Sequence, residues 1–368
     1  MRKIGVIGIG KLGICFALNL ERSGYDVIGI DIFKEYVKDI NNKTLQSTEP
    51  LVEEYLKKSL KLKASTKLSD VIDDDIDLLF VFVATPSLPD GSYDHSQIER
   101  ISDELITFGR RNHPTHLIVG CTTMPGYCNT LATKMSPYNY TVSYNPEFIA
   151  QGNIIHDLQN PDQVLIGEAD DEVGLILEQV YSTICKNQPI YCRMDRLSAE
   201  ITKIATNCFL TTKISFANSI GDLAIKTGAN KEKILEAIGS DSRIGRKYLG
   251  YGFGFGGPCF PRDNRALGKF ARENDYELLI SDATDDVNRR HLTFQLEEYL
   301  KTYPEGSTII FNGVSYKKGS TLIEESQQLA LAVSLSKKKR NVLIRDQKEV
   351  IRQVEKLYPN LFTFEETQ

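Results

Sequence analysis

The sequence predicts an α/β protein in which two strand-and-helix regions flank one long helix, and three observations lead to that prediction. Residues 3–31 contain a short apolar run, a glycine-rich turn, a helical pattern and a second apolar run. From residue 198 to about 226, apolar residues recur at helical spacing over a length of about 45 Å. From residue 307 a second strand–helix–strand pattern begins. Strands that alternate with helices are typical of parallel, doubly wound sheets.

Composition narrows the class of protein. With 368 residues, 41% of them hydrophobic and 25% charged, the chain is expected to form two or three ordinary globular domains. The formal net charge of −5 provides no basic field for nucleic acid, and no apolar run reaches the roughly 20 residues that span a bilayer. Seven cysteines are scattered without a CxxC pair, and five histidines are dispersed. This pattern predicts a reduced, cytoplasmic protein without a disulfide framework or a metal site.

The turn at residues 8–13 has the Gly-x-Gly-x-x-Gly spacing of dinucleotide-binding proteins, and it stands between a strand and a helix as that motif requires. Its glycines allow a tight turn, close approach of a pyrophosphate and packing of the helix on the strand. Asp31 ends the second strand, where its carboxylate can bind a ribose diol and would repel a 2′-phosphate. The sequence therefore predicts NAD as the cofactor. The predicted contacts are Gly8, Gly10, Lys11, Leu12, Gly13 and Asp31.

Two further apolar runs end in residues that can carry chemistry. Residues 77–83 are followed by Thr85, and residues 140–144 are followed by Glu147. Ligands bind beyond the carboxyl ends of parallel strands, so both residues are candidates for a site. For Thr85, an ordinary Thr-Pro turn explains the sequence nearly as well. Residues 162–168 are predicted to form the last strand of the first domain.

Two polar residues interrupt the apolar pattern of the long helix. Lys203 and Asn207 are four residues apart and therefore share one helix face. Polar groups on a largely apolar helix need partners, and an active site is one explanation. A lysine that extends its amine to solvent from the helix edge is the other. Ser198 is the predicted N-cap of this helix, and Gly228 is its predicted stop.

Residues 252–257 include four glycines, which would allow another molecule to approach the main chain closely. Cys259 follows, and Pro261 suits the first position of a helix. Cys259 would then lie just before a helix N-terminus, whose partial positive charge favours the thiolate. With Asp263 nearby, this arrangement suggests covalent catalysis on a carbonyl group. A glycine loop beside a buried structural cysteine is the alternative.

Together these stretches resemble the UDP-glucose/GDP-mannose dehydrogenase family over essentially the whole chain. The most specific matches are residues 145–152, residues 199–203 with Asn207, residues 241–245 and residues 254–263. The resemblance implies two Rossmann-like doubly wound domains joined by a long dimerising helix. Residues 1–196 would bind NAD, residues 197–300 would form a helical dimerisation domain with the cysteine loop, and residues 301–368 would form a short sugar-nucleotide-binding domain.

The resemblance also implies an activity, the NAD-dependent four-electron oxidation of a nucleotide sugar from its C6 alcohol to the uronate, in a homodimer. Cys259 would be the nucleophile and would pass through a thiohemiacetal and a thioester, while Lys203 and Asn207 stabilise the oxyanion. Asp263 and Glu147 would mediate proton transfers through water.

Further site positions follow from the same resemblance. Thr123 would help to hold that water, and Thr123 and Glu147 would also contact the cofactor. Arg243 matches an arginine that reaches the nucleotide sugar of the neighbouring subunit. The implied substrate-binding positions are Glu147, Phe148, Ile149, Ala150, Gln151, Lys203, Asn207, Arg243, Tyr248, Leu249, Tyr251, Phe255, Gly256, Tyr316 and Lys317.

These matches favour UDP-glucose as the substrate, with UDP-N-acetylhexosamines and GDP-mannose as alternatives within the family. Two other classes remain open. A β-hydroxyacid dehydrogenase shares the N-terminal fold and a helix lysine but has no use for the cysteine loop. A non-catalytic sugar-nucleotide-binding protein would bind the same ligand without producing NADH.

Two features depart from the family pattern. Glu324 stands where the family usually has an arginine placed near the cofactor. The chain ends soon after Asp346, so the last nucleotide-binding domain is expected to be short.

Overall fold

The computed structural model describes residues 3–73, 75–149 and 151–367. The chain divides into two compact units, and the boundary between them falls after Lys203. Each unit contains a sheet of mainly parallel strands with helices between successive strands. The predicted α/β class is therefore confirmed, including the two Rossmann-like regions and the long helix between them in the chain. The finer division into three domains stays a prediction.

The first unit is built on an eight-stranded sheet. Its strands are β1 (Lys3–Ile7), β2 (Asp26–Ile30), β3 (Leu62–Ser65), β4 (Ile76–Val81), β5 (Thr115–Val119), β6 (Tyr140–Tyr144), β7 (Gln163–Glu168) and β8 (Ile190–Asp195). They lie in the order β3-β2-β1-β4-β5-β6-β7-β8, and neighbours are parallel except for β6 and β7. Central strands such as β4 are almost entirely buried, because both faces of a parallel sheet are covered.

Helices connect these strands. They are α1 (Lys11–Arg22), α2 (Lys34–Asn42), α3 (Val52–Lys58), α4 (Ser96–Thr107), α5 (Tyr127–Met135), α6 (Ile154–Gln159) and α7 (Asp171–Ile184), with short 3-10 turns at Leu68–Val71 and Ser136–Tyr138. Because β1, β2, β4, β5 and β6 all run the same way, the loops that follow them open at one edge of the sheet. That edge carries the predicted cofactor residues of this unit.

The predicted last strand of the first domain corresponds to β7, but it is not the last. β8 follows and pairs in parallel with β7 along its whole length. Its residues are partly or largely exposed, so it lacks the continuous apolar run by which a buried strand is found in a sequence. That prediction was wrong.

The long helix is α8 (Arg196–Thr227). It begins two residues before the predicted N-cap, because Asp195 rather than Ser198 satisfies its first turn. The Asp195 carboxylate accepts hydrogen bonds from the backbone N–H of Ser198 at 3.0 Å and from its hydroxyl at 2.6 Å. Gly228, with a φ of +74°, follows the last turn as predicted.

The second unit combines helices with a small sheet. Its elements are α9 (Lys231–Ser240), α10 (Phe260–Glu273), α11 (Leu279–Thr302), β9 (Thr308–Asn312), α12 (Gln327–Lys337), β10 (Asn341–Asp346), α13 (Lys348–Leu357) and β11 (Thr363–Glu366). The three strands are parallel in the order β11-β10-β9. Their core is formed by alternate residues of β9 and β10, which are buried beneath α12 and α13.

Candidate active site

The turn between β1 and α1 has the geometry of a phosphate cradle. Gly8 has a φ of +85°, and a Cβ there would overlap the carbonyl oxygen of Phe82. A Cβ on Gly13 would overlap the carbonyl oxygen of Gly8, so this glycine lets the helix pack on the turn. Apart from chain neighbours, no atom of the described residues lies within 4 Å of a Cβ built on Gly10. The middle glycine therefore leaves room for the pyrophosphate of a dinucleotide.

Asp31 follows β2 and lies beside the same turn. Its Oδ1 accepts a hydrogen bond from the backbone N–H of Phe33 at 3.1 Å. The next two residues, Ile32 and Phe33, are 76% and 68% exposed. They are apolar neighbours of the Asp31 carboxylate, and they suit the adenine of a nucleotide whose ribose the carboxylate binds. Sequence reasoning missed these two residues because a pair of apolar residues in a loop forms no periodic pattern. Lys11 is exposed and Leu12 half-buried at the start of α1.

The loops after β4 and β5 are tied together by Thr85. Its side chain is buried, and its hydroxyl donates to the carbonyl oxygen of Thr122 at 2.7 Å. The residue therefore stabilises the edge of the sheet where the cofactor is expected. Its direct contact with NAD stays a prediction.

Thr123 is fully buried beyond β5, where Glu200 of α8 holds it. The Thr123 hydroxyl donates to Glu200 Oε1 at 2.8 Å, and the same carboxylate accepts from the N–H groups of Gly126 and Cys128 at 2.6 and 2.9 Å. These N–H groups lie at the N-terminus of α5, which favours a negative charge. Burial raises the pKa of Glu200. Its sequence position gave no sign of this role, because the partners are more than 70 residues away.

Glu147 follows β6 and is enclosed by polar groups. The hydroxyl of Tyr181, on α7, forms a very short hydrogen bond with Glu147 Oε1 and also lies 2.7 Å from Asn145 Oδ1. Burial raises the pKa of Glu147 to about 7, against the hydrogen bond with Tyr181 and the nearby positive charge of Lys203. A carboxyl group that titrates near neutral pH can both give and accept protons in catalysis.

Lys203 points into the first unit. Its ammonium donates to the carbonyl oxygen of Glu147 at 2.6 Å and lies 4.2 Å from the centre of the Phe148 ring. Because Lys203 is only 8% exposed, its amine does not extend to solvent. Two other predicted substrate contacts in this segment, Ile149 and Gln151, are half-buried. The third, Ala150, lies outside the described residues.

In the second unit, Asn207 and Asp263 form a buried pair. The side-chain amide of Asn207 donates to Asp263 Oδ2 at 2.6 Å. Arg262 Nε donates to the other oxygen, Oδ1, at 3.2 Å. These bonds hold the Asp263 carboxylate, which is 1% exposed, between α8 and the start of α10.

Cys259 is the N-cap residue of α10, as predicted, with Pro261 in the first turn. Of the seven cysteines, it is the one whose side chain is exposed. The alternative of a buried structural cysteine is therefore wrong. An exposed thiol at a helix N-terminus is in a setting that favours a reactive thiolate.

The glycines before Cys259 mostly accommodate the protein's own atoms. A Cβ on Gly254 would overlap Asn288 Oδ1, and a Cβ on Gly256 would overlap the carbonyl oxygen of Glu325. Only chain neighbours lie within 4 Å of a Cβ on Gly252 among the described residues. Gly254 and Gly256 are therefore required by packing within the protein, and the close approach of another molecule to this loop stays a prediction.

Gly257 brings an aromatic ring to the cysteine loop. It has a φ of +79°, and a Cβ there would overlap the ring of Tyr316. Burial, and then the charge of the Cys259 thiolate, raise the pKa of Tyr316, which identifies Tyr316 as a neighbour of the thiol. Lys317 Nζ lies 5.7 Å from the centre of the same ring. The backbone oxygen of Glu324 accepts from the N–H of Gly257 at 3.0 Å, while the Glu324 side chain is exposed.

Two side chains of α11 hold the glycine loop. Asn288 donates to the carbonyl oxygen of Phe255 and accepts from its N–H, both at 2.9 Å. His291 lies between Asp222 and Gly252, with its ring nitrogens 2.8 Å from a carboxylate oxygen and 2.7 Å from the carbonyl oxygen, respectively. Sequence reasoning missed both anchors, because each is more than 30 residues from the loop it holds.

The remaining predicted substrate contacts differ in exposure. Arg243 and Tyr248 are exposed, and Tyr251 is half-buried. The side chains of Leu249 and Phe255 are buried, so only the backbone of these two residues can face a ligand. Within the residues that the structure describes, no group of three or more His, Cys, Asp or Glu side chains is placed to hold a metal ion. No helix in this part of the chain is long and apolar enough to cross a bilayer.

Comparison with known proteins identifies the family of this chain. The model for the NAD binding domain of the UDP-glucose/GDP-mannose dehydrogenase family matches residues 2–185, and the model for its central domain matches residues 197–290. The chain belongs to this family. The resemblance seen in the sequence is confirmed, and the chain is an NAD-dependent nucleotide-sugar dehydrogenase.

Individual relatives of this dehydrogenase agree. The chain is 31% identical to UDP-glucose 6-dehydrogenase of Pseudomonas aeruginosa, over 90% of its own length and 76% of the relative's. It is 32% identical to UDP-glucose 6-dehydrogenase YwqF of Bacillus subtilis, over 90% and 77% of the two chains. A solved UDP-glucose dehydrogenase from Pyrobaculum islandicum superposes with a TM-score of 0.88 at 29% identity, over 100% of this chain and 86% of that one.

Proposed function

We propose that this dehydrogenase oxidises the C6 alcohol of UDP-glucose to the carboxylate of UDP-glucuronate, with Cys259 as a covalent nucleophile. The observation that carries the proposal is the exposed thiol of Cys259 at the N-terminus of α10. A four-electron oxidation needs such a group, because a free aldehyde is a poor hydride donor whereas its thiol adduct is a good one. Relatives that bear the name UDP-glucose 6-dehydrogenase support the choice of sugar nucleotide.

The first unit supplies the cofactor site. NAD, when bound, serves as acceptor of the hydride that the sugar carbon loses at each oxidation. The open space at Gly10 and the N-terminus of α1 would hold its pyrophosphate, and Asp31 would hold its adenosine ribose. Thr85, Thr123 and Glu147 are proposed as further contacts.

Cys259 is proposed to act on the aldehyde formed by the first oxidation. Its thiolate forms a sulfur–carbon bond, and the carbonyl oxygen becomes an oxyanion. Lys203 and Asn207 both carry N–H donors and are four residues apart on α8, so we assign them to this oxyanion. The second oxidation leaves a thioester, which water hydrolyses to the uronate with release of the thiol. Asp263 and Glu147 are proposed to mediate the proton transfers of that water.

The loop and sheet of the second unit are proposed to bind the rest of the substrate. Tyr316 and Lys317 lie beside the cysteine loop, and Tyr248 is exposed in the segment that precedes it. Arg243 is exposed with its guanidinium 2.7 Å from Asp241. We propose that Arg243 leaves this local partner and reaches the nucleotide sugar of a second copy.

A homodimer formed through α8 is part of the proposal. Phe209, Phe216 and Leu223 are each seven residues apart and are 65%, 47% and 58% exposed. Side chains at this spacing share one helix face, and an apolar face of this kind is typical of an interface. Phe216→Asp should therefore lower the dimer fraction in sedimentation velocity, whereas Leu175→Asp, which alters an exposed leucine of α7, should not. A wild-type protein that sediments as a monomer would refute the dimer.

The activity is tested by the amount of NADH formed per nucleotide sugar. Purified protein is incubated with excess NAD and a limiting amount of UDP-glucose, a UDP-N-acetylhexosamine or GDP-mannose, and the absorbance of NADH is followed to completion. We expect two NADH per UDP-glucose and slower turnover of the others. One NADH per sugar would mean that the enzyme carries out a single oxidation, and it would contradict the covalent mechanism. A clear preference for another sugar would correct the substrate.

A further inference from the structure

The hydroxyl of Tyr181 stands between two oxygen atoms, although it has one proton to donate. Asn145 Oδ1 lies 2.7 Å from it, and Glu147 Oε1 is in a very short hydrogen bond with it. Tyr181 and Asn145 are buried, so water does not supply the second donor at this point. One of the two oxygen neighbours must therefore carry a proton of its own.

The orientation of the Asn145 amide decides which neighbour that is. Its Nδ2 donates to the carbonyl oxygen of Leu165 at 2.9 Å, and a carbonyl oxygen can only accept. The amide assigned from this network therefore turns Oδ1 towards Tyr181 as an acceptor. The Tyr181 proton goes to Asn145, and the bond between Tyr181 and Glu147 must be donated by the Glu147 carboxyl group.

We propose that Asn145 is a positioning residue: it accepts the Tyr181 proton, which leaves Tyr181 as an acceptor for Glu147 and favours the neutral acid in the resting enzyme. This inference rests on the proposed function for the role of Glu147 in proton transfer, and it adds how that proton is held. Glu147 Oε1 is bound by Tyr181, whereas Oε2 makes no hydrogen bond within the described part of the chain. Oε2 is therefore the oxygen that can meet a water or a substrate hydroxyl.

The arrangement links the protonation of Glu147 to the rotation of one hydroxyl group. When Glu147 loses its proton to water, the carboxyl O–H bond breaks, and the Tyr181 O–H turns from Asn145 towards the new carboxylate. Asn145 Oδ1 then loses its donor in a buried place, which disfavours the charged form. Asn145 thus offsets part of the pKa-lowering effect of the Tyr181 hydrogen bond, and together with burial it helps to keep Glu147 protonated at neutral pH.

Two other titratable groups that face Glu147, Tyr181 and Cys185, do not change charge in the same pH range. Burial and the charge of Glu147 raise the pKa of the Cys185 thiol to about 11 and that of Tyr181 well above its usual range. Lys203 binds the backbone of Glu147 from α8. Burial raises the pKa of Glu147 to about 7, so a change near neutral pH in this cluster reports on Glu147.

The test measures the protonated carboxyl directly, in protein without substrate or cofactor. Infrared spectra are recorded against pH, and the carboxylic C=O band of Glu147 is assigned by its loss in Glu147→Gln. Tyr181→Phe removes both the acceptor of the Glu147 proton and the donor to the charged carboxylate, so it should not lower the midpoint. A lower midpoint in this variant, or the absence of the band in wild-type protein, overturns the inference.

Asn145→Ala is the decisive variant. It leaves Tyr181 intact but frees its hydroxyl to donate to Glu147, so the midpoint should fall by about one pH unit, the equivalent of one hydrogen bond. An unchanged or higher midpoint overturns the inference. Tyr140→Phe is the matched control, because it removes a buried hydroxyl of β6 that has no hydrogen-bond partner among the described residues. It should leave the midpoint unchanged. Since no turnover is involved, failure of this test and failure of the proposed activity are separate results.

Discussion

Glu147 in the first unit and Cys259 in the second are held in different ways. The reactive group of Glu147 is itself bound, because Tyr181 meets its carboxyl group, and Lys203 meets its carbonyl oxygen. The side chain of Cys259 is exposed, and it is the main chain of the preceding loop that is held, for example by the side chain of Asn288 and the backbone of Glu324. Burial therefore governs the protonation of the acid, whereas position at a helix end favours the reactive form of the thiol.

This contrast predicts different results of substitution in the two regions. Around Glu147, loss of one polar atom should change a pKa or a rate while the backbone stays in place. Around Cys259, loss of the sulfur should remove the chemistry, and added bulk in the glycine loop should displace the backbone itself.

The largest effect is expected at the thiol. Cys259→Ser replaces the nucleophile by a much weaker one, so uronate formation should fall by at least about a thousandfold, measured by chromatography of the nucleotide sugars. Cys192→Ser is the control, since it alters a half-buried thiol of β8 that contacts Gln163, and it should remain active. Near-normal uronate from the Cys259 variant would assign the covalent step to another residue.

The next effect is expected at the lysine of the first unit. Lys203→Ala removes a proposed oxyanion donor, so kcat should fall by about a hundredfold. The dissociation constant of NAD, measured by calorimetry, should hardly change. Lys226→Ala, in the last turn of the same helix, is the control and should keep both values. Equal losses in turnover and NAD affinity would mean that Lys203 supports the structure and not the reaction.

Crowding in the glycine loop should have a smaller effect, on stability. A Cβ on Gly256 would overlap the carbonyl oxygen of Glu325, so Gly256→Ala should lower the free energy of unfolding by about 1–3 kcal/mol in urea denaturation. Gly252→Ala is its matched control, because only chain neighbours lie near a Cβ there among the described residues. Equal stability of the two variants would show that the loop adjusts without strain.

The last effect is a gradual pH dependence of stability that originates at Glu147. Its pKa is raised from 4.5 to about 7 in the folded protein, so between these values the folded state holds a proton that the unfolded chain has lost. The free energy of unfolding should therefore fall as the pH rises through this range, by at most about 1.4 kcal/mol per pH unit.

Glu147→Gln should remove that component of the slope, measured by urea denaturation at several pH values. Glu104→Gln, which alters an exposed glutamate of α4, should leave the slope unchanged. If the Glu147 component rose with pH, the folded protein would hold this carboxyl group in its charged form, and the contrast between the two regions would disappear.

Local patterns in the sequence were enough to predict the elements that carry the chemistry. The glycine spacing at residues 8–13, the strand that ends before Glu147 and the helix that begins after Cys259 all involve residues close together in the chain. Periodicity and capping preferences act over the same short range, which is why such features can be found without a fold.

Only the tertiary structure decided what surrounds those residues. Tyr181 reaches Glu147 across 34 positions of the chain, Glu200 reaches Thr123 across 77, and Asn288 reaches Phe255 across 33. A buried hydrogen bond between distant residues leaves no periodic trace in either segment, since each partner alone is an ordinary polar residue. The sequence by itself thus determined which groups can react, and the packing of α7, α8 and α11 determined their partners and the protonation of the acid.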